Sequence, residues 1–438
     1  MGIRSSTRSR GRPGARRIAA PIATLALASS MLAACGGSDG KPELVWYINP
    51  DSGGQAAVAE KCSTDDYTIT TQVLPQDAGQ QRIQLARRLA AKDPSIDLMS
   101  IDPPYTAEFA DAGFLAEVPQ EAKAQLEDQG TFKGAMDAAS WKDKLVVFPF
   151  WSNTQVLWYR KSFVEKADID MSQPVTWDQI IDAADDNDAK IGVQANKYEG
   201  YVVWINALVE GAGGHILEDA GEGVDAKITI ADDAGEAAAE IVEKLATSEA
   251  APADLSVSNE GTAGSTFGSD EGSFLVNWTY IWHNYDTTAP DVAKDIGYTR
   301  YPQSVEGEES RPPYGGIGIG VSAYSDAKEQ SLEAAQCLVS PESQGINAAI
   351  TGNMPASTEG YAYPPLSDPD EEKSYPEDLL QLFQDSVDAA APRTVTPYWS
   401  DVSGSIQNIW HPPRSVTKDT PGRSSTFIED VLKGGDLL

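Results

Sequence analysis

Short apolar runs alternate with amphipathic stretches along this chain, and that order predicts strands and helices in succession. Residues 44–48 form an apolar run, followed by the turn Asn49-Pro50-Asp51-Ser52-Gly53-Gly54 and a helix that carries Cys62. A second strand over 67–74 precedes a helix in which Ile83, Ala86 and Ala90 recur at i, i+3 and i+7, which predicts that they form its inner face. Residues 96–101 make a third strand, closed by Asp102-Pro103-Pro104. A strand over 145–150 leads through Trp151-Ser152-Asn153 into the apolar stretch 156–160, a crossover between two parts of the molecule. Helical patterns follow over 177–184 and 200–209, then an acidic loop at 219–225 and a helix over 234–245 capped by Asp232 or Asp233. Strand character returns at 272–276 and at 315–321, the latter leading into a helix that bears Cys337, and a last helix covers 424–432. Strands alternating with helices predict an α/β architecture with parallel pairing.

The N-terminus has a different pattern. Six arginines lie between Arg4 and Arg17, an apolar segment covers 18–34, and Ala33-Ala34-Cys35 ends it. A basic region, an apolar region and small residues before a cleavage point resemble the signal peptide of a bacterial lipoprotein. The resemblance implies that residues 1–34 are removed and that a lipid on Cys35 holds the mature chain to the outer face of a membrane through a short tether over 35–43.

Charge narrows the function classes. The full chain has a formal net charge of −33, and loss of the six arginines leaves 27 basic against 66 acidic side chains. That balance excludes nucleic acid as a partner. The length left after cleavage exceeds one ordinary hydrophobic core and points to two domains. Beyond Cys35 the only cysteines are Cys62 and Cys337, which in an exported protein are either a disulfide or two buried thiols on separate helices. A bridge would return the chain to its first lobe near residue 316, and two lobes crossed several times enclose a hinged cleft. The predicted organisation is residues 44–150 with 316–370 as one lobe and 151–315 with 371–438 as the other.

Catalytic signatures are missing: the three histidines show no metal-ligand spacing, no phosphate-binding loop occurs, and Gly316-Ile317-Gly318-Ile319-Gly320 does not match a dinucleotide fingerprint. No cofactor or metal is expected, and no pair of carboxylates is singled out for glycoside hydrolysis. Polar and aromatic residues instead stand just past predicted strand ends, where ligands bind in open α/β sheets. These are Asp102, Asn153 and Trp278, together with Gly315-Gly316, whose missing side chains leave room for a ligand near backbone. Each also has a structural reading: Asp102 as a helix cap, Trp278 as core, Arg393 as an anchor for the tail. A sugar needs this mixture, an aromatic face for its C–H surface and charged or amide groups for its hydroxyls.

At this level of detail the chain resembles the extracellular solute-binding proteins of ABC sugar importers, most closely the actinobacterial trehalose-binding lipoproteins. The resemblance covers nearly all of the chain after Cys35. It is carried by Gln81-Arg82-Ile83-Gln84-Leu85-Ala86-Arg87-Arg88-Leu89, Asn153-Thr154-Gln155-Val156-Leu157-Trp158-Tyr159-Arg160, Gly192-Val193-Gln194-Ala195-Asn196, Glu199-Gly200, Val276-Asn277-Trp278 and Arg393-Thr394-Val395-Thr396-Pro397. It implies a two-lobed periplasmic-binding-protein fold and a monomeric binding protein, not an enzyme, that passes a disaccharide to a membrane permease. It also implies that Asp102 and Asn153 bind hydroxyls, Trp278 stacks on a glucose ring, Gly316 offers backbone and Arg393 reaches in from the second lobe. Glu260 matches a second acidic contact, Asp51 and Arg82 are further candidates, and Cys62 and Cys337 match a cysteine pair in these relatives. The chain departs from them at 101–105 and 150–152, both at the predicted cleft, which leaves the exact sugar open; the alternative readings are an exported glycoside hydrolase and a receptor for a non-sugar solute.

Overall fold

The computed structural model describes residues 41–371 and 374–435; residues 1–34, expected to be a signal peptide, and Cys35 lie outside them. The first strands and helices follow the hydrophobic pattern: β1 (Glu43–Ile48), α1 (Gly54–Lys61), β2 (Thr68–Val73), α2 (Ala78–Ala90) and β3 (Leu98–Ile101). Next come β4 (Phe148–Arg160), α3 (Trp177–Asp186), β5 (Lys190–Gly192), α4 (Glu199–Gly211) and α5 (Asp233–Thr247). The chain continues through α6 (Glu260–Phe267), β6 (Gly272–Trp278), β7 (Ile296–Thr299), β8 (Tyr314–Val321), α7 (Lys328–Leu338), α8 (Trp399–Trp410) and α9 (Thr420–Leu432). The main sheet runs β2-β1-β3-β8-β4-β6-β5, with β7 also on β4.

Pairing is parallel where helices separate the strands, as between β1 and β2 and between β1 and β3. It is antiparallel where the chain crosses back. β8 runs against β3 and against the first half of β4, and β6 and β7 run against the second half of β4. The expectation of parallel pairing therefore holds at both ends of the sheet, where β6 and β5 also pair parallel, and fails at its centre.

One strand takes the place of the predicted strand, loop and strand across 145–160. Trp151-Ser152-Asn153 is expected to connect 145–150 to 156–160, yet the whole of 148–158, Thr154 included, is buried within β4. Their polar groups are satisfied inside the sheet: Ser152 Oγ lies 3.0 Å from the Tyr314 hydroxyl, and Thr154 Oγ1 donates to the Pro313 carbonyl at 2.9 Å.

In α2 the period is as expected and the face is not. Gln81, Leu85 and Leu89 point inward, Ile83 and Ala86 are half-buried, and Ala90 is exposed. Two leucines carry more apolar surface than two alanines, and burial follows area. Gln81 is accommodated because its Nε2 donates to the Pro75 carbonyl at 2.8 Å. Asp232 caps α5, accepting from the Ala234 and Gly235 amides. α9 starts four residues ahead of its predicted position, with Pro421 in its first turn.

Cys62, at the end of α1, is disulfide-bonded to Cys337 on α7. The bridge joins the start of the chain to the segment that follows β8. β8 is inserted between β3 and β4.

Candidate ligand-binding site

Asp102 follows β3 directly. Its backbone is extended, Pro103 and Pro104 begin a short 3-10 turn, and its side chain makes no capping hydrogen bond. The carboxylate is thus free of the capping role and pairs with Arg393, Nη2 to Oδ1 at 2.8 Å. Arg393 is buried, its side chain 4% exposed, and its Nη1 donates to Glu199 Oε1, also at 2.8 Å. Glu199, the first residue of α4, further accepts from Trp399 Nε1 at 2.8 Å and from the Ser403 hydroxyl. Burial works against the guanidinium charge, but Asp102 and Glu199 outweigh it and hold Arg393 firmly cationic. Burial raises the Glu199 carboxyl pKa, and Arg393 pulls in the opposite direction.

Arg393 Nε is buried without a hydrogen-bond partner. An orphaned donor costs roughly 1–3 kcal/mol. A ligand oxygen would remove that cost.

Tyr105, two residues beyond Pro103, shows which charges converge here. Burial pushes its hydroxyl pKa well up, Glu199 and Asp102 add to the rise, and Arg393 and Arg82 oppose it. Arg82 itself is held by Glu108, Nε and Nη2 each 2.6 Å from a carboxylate oxygen, with both side chains at least one-fifth exposed. It borders the cluster and does not enter the Asp102 pair. Asp51 does other work: its two oxygens accept from the Gly53 amide at 2.9 Å and the Gln55 amide at 2.8 Å, fixing the entry to α1.

Glu260 opens α6, where Asn259 caps the helix by accepting from the Thr262 amide at 3.0 Å. Burial raises its pKa first of all; the Tyr198 hydroxyl stabilises its carboxylate, while the fields of Asp77 and Asp102 push the value further up. The Tyr198 oxygen also lies 3.1 Å from Gln194 Oε1, and Gln194 Nε2 is a second buried donor without a partner.

Asn153, on β4, is buried. Its Oδ1 accepts from the Thr279 hydroxyl and its Nδ2 donates to Asn353 Oδ1 at 3.2 Å. Trp278 ends β6 half-exposed, so it is not a core residue. A Cβ on Gly315 would stand 2.6 Å from the Trp278 ring, so that glycine makes room for the indole. Gly316 has φ +130°, and a Cβ there would lie 2.2 Å from the Trp151 carbonyl oxygen. Both glycines are required by the protein's own packing, whatever ligand binds.

Of the residues singled out in the sequence, Asp102 and Arg393 are in direct contact and Glu260 lies within the field of Asp102. Asn153, Trp278 and Gly315-Gly316 cluster around β4, β6 and β8, while Asp51 and Arg82 are committed to partners of their own. Sequence reasoning assigned no role to Glu199, Tyr105, Tyr198, Gln194 or Asn353. For Glu199 a signal existed, a carboxylate directly ahead of the almost wholly apolar helix at 200–209. Among the described residues no group of three or more His, Cys, Asp and Glu is arranged to hold a metal ion, and no helix is long and apolar enough to cross a membrane.

Three solved structures share this fold. The maltose-bound MalE3 protein of T. maritima aligns with a TM-score of 0.77 at 20% identity, over 89% of this chain and 100% of that one. The GacH receptor of Streptomyces glaucescens, solved unliganded and with acarbose, aligns at 0.74 and 17% identity, over 90% of this chain and 100% of that one. An ABC transporter solute-binding protein from Thermotoga lettingae, bound to α-D-tagatose, aligns at 0.73 and 17% identity, over 89% of this chain and all 100% of its own. The architecture is thus the two-lobed periplasmic-binding-protein fold, and its relatives are binding proteins, not enzymes. The family model for bacterial extracellular solute-binding proteins matches residues 47–345, and the chain belongs to that family.

Proposed function

We propose that this chain is the substrate-binding component of an ABC importer for an α-glucoside disaccharide, with trehalose as the first ligand to test. The observation that carries the reading is Arg393, buried between two carboxylates with an unpartnered Nε, in a protein whose structural relatives were solved with sugars. Asp102, Asn153, Glu260 and Arg393 supply donors and acceptors for hydroxyls, Trp278 an aromatic face, and the Gly316 backbone a further polar contact. Asp51 and Arg82 complete the proposed set, each already held by partners of its own. With lobes at 44–150 plus 316–370 and 151–315 plus 371–438, the Asp102–Arg393 pair spans the cleft, and a ligand touching both sides favours closure in proportion to those contacts. A lipid on Cys35 would keep the monomer beside its permease in the membrane.

Calorimetry on the purified protein tests this. Trehalose is expected to bind the wild type, and Trp278→Ala is expected to abolish the heat while leaving the unfolding transition intact. A protein that ignores trehalose and maltose but is stabilised by amino acids or peptides in a thermal-shift screen would replace the sugar reading with a receptor for another solute.

A further inference from the structure

Glu199 lies at the N-terminus of α4, where the helix end favours negative charge, and it is buried, 5% exposed. All three of its hydrogen-bond donors come from one stretch of tail: Arg393, Trp399 and Ser403. Its two oxygens therefore fix both the strap that carries Arg393 and the first turn of α8, which packs on α4 and on the 3-10 turn after Asp102. A packing role alone does not call for a charge, because well-packed apolar groups in place of a buried ion pair are often as stable or more so. The charge has a specific consequence at Arg393. The guanidinium is planar, with its five N–H donors in a fixed fork. With Nη1 on Glu199 and Nη2 on Asp102, the plane is pinned at two points, and the direction of Nε–H follows. That third donor is the one left buried without an acceptor.

We propose that Glu199 is a positioning residue of the sugar site, pinning the Arg393 guanidinium so that its Nε–H is presented to a ligand oxygen beside Asp102. This rests on the sugar reading above. Glu199 itself touches no ligand; it acts through Arg393. A neutral amide at 199 keeps one acceptor oxygen, which Trp399 and Arg393 Nη1 share, but puts an NH2 where Oε2 accepts from Ser403 and loses the charge that holds the guanidinium. The affinity lost should then depend on Arg393 having an Nε to orient, which lysine lacks.

A double-mutant cycle read by calorimetry with trehalose tests the inference. Glu199→Gln is expected to weaken binding roughly tenfold or more in the wild-type background. In an Arg393→Lys background it is expected to change the affinity little. An equal loss in both backgrounds, or no loss in either, would overturn the proposal. Ser403→Ala removes one of the donors that hold Glu199 and is the milder variant should Glu199→Gln fail to fold; its smaller loss should show the same dependence on Arg393. A second arm needs no ligand: in protein carrying 15N-arginine, the Arg393 Nε–H resonance should exchange slowly with solvent and do so faster in either variant. A wild type silent toward trehalose would refute the sugar reading, and this arm would still decide whether Glu199 pins Arg393, since unaltered exchange in both variants contradicts it.

Discussion

Glu199 and Glu260 open two helices, and both have raised carboxyl pKa values with burial as the leading cause. They differ in what answers that burial. Glu199 has Arg393, whereas Glu260 has the Tyr198 hydroxyl and its own backbone amide, set against the fields of Asp77 and Asp102. A raised folded-state value means that, between the ordinary carboxyl value and the raised one, the folded protein binds more protons than the unfolded chain. Stability from this group is therefore greatest at low pH and is lost as pH climbs through the raised value. Glu260→Gln should remove that loss: in urea unfolding of the ligand-free protein, the variant should gain on the wild type as pH rises above the ordinary carboxyl range. A constant difference across that range would show that Glu260 does not titrate as its burial implies. Asp102 was legible from its place at a strand end followed by two prolines. Glu199 was visible as a charge ahead of an apolar helix, but its role was not, because its partners lie 194, 200 and 204 positions away and no local pattern reports them.

The two adjacent glycines of β8 separate two kinds of constraint. Gly316→Ala puts a side chain on a left-handed backbone and against the Trp151 carbonyl, and should cost at least about 1–3 kcal/mol of stability by thermal or urea unfolding. Gly315→Ala meets the movable edge of the Trp278 ring, so it should displace the indole and weaken sugar binding with a smaller loss of stability. A Gly316→Ala protein that unfolds like the wild type would refute the backbone argument. Element existence was readable from apolar runs over much of the chain, although β5, α6, β7 and α8 were not read from it, and element identity failed across β4. Trp151-Ser152-Asn153 reads as a connection in sequence and is strand in space, and the hydroxyls of Ser152 and Thr154 find partners in Tyr314 and Pro313, at the start of β8 and more than 150 residues on. The inner face of α2 was misread for a related reason: spacing alone gives a period, and the larger side chains choose the side.

At the scale of the molecule, the Cys62–Cys337 bridge closes a separation of 275 residues. In the chain-entropy model a loop of that size stabilises by as much as about 5 kcal/mol, so replacing both cysteines with serine, or adding reductant, should lower the urea midpoint markedly. An unchanged midpoint would mean that the packing of α1 against neighbouring helices holds this region without the bridge. Composition excluded a nucleic-acid partner, and chain length called for more than one core. Neither could show that the sheet's centre is antiparallel, because that depends on β8 arriving late in the chain to lie between β3 and β4. The same late arrival governs how the protein can be divided. A fragment ending before residue 314 lacks the strand that bridges its own sheet, and a fragment starting after residue 160 lacks β4, on which β6, β7 and β8 all pair. No single cut yields two self-sufficient halves, so reporter insertions or split versions of this receptor have to be placed in its loops and leave the central strands in one piece.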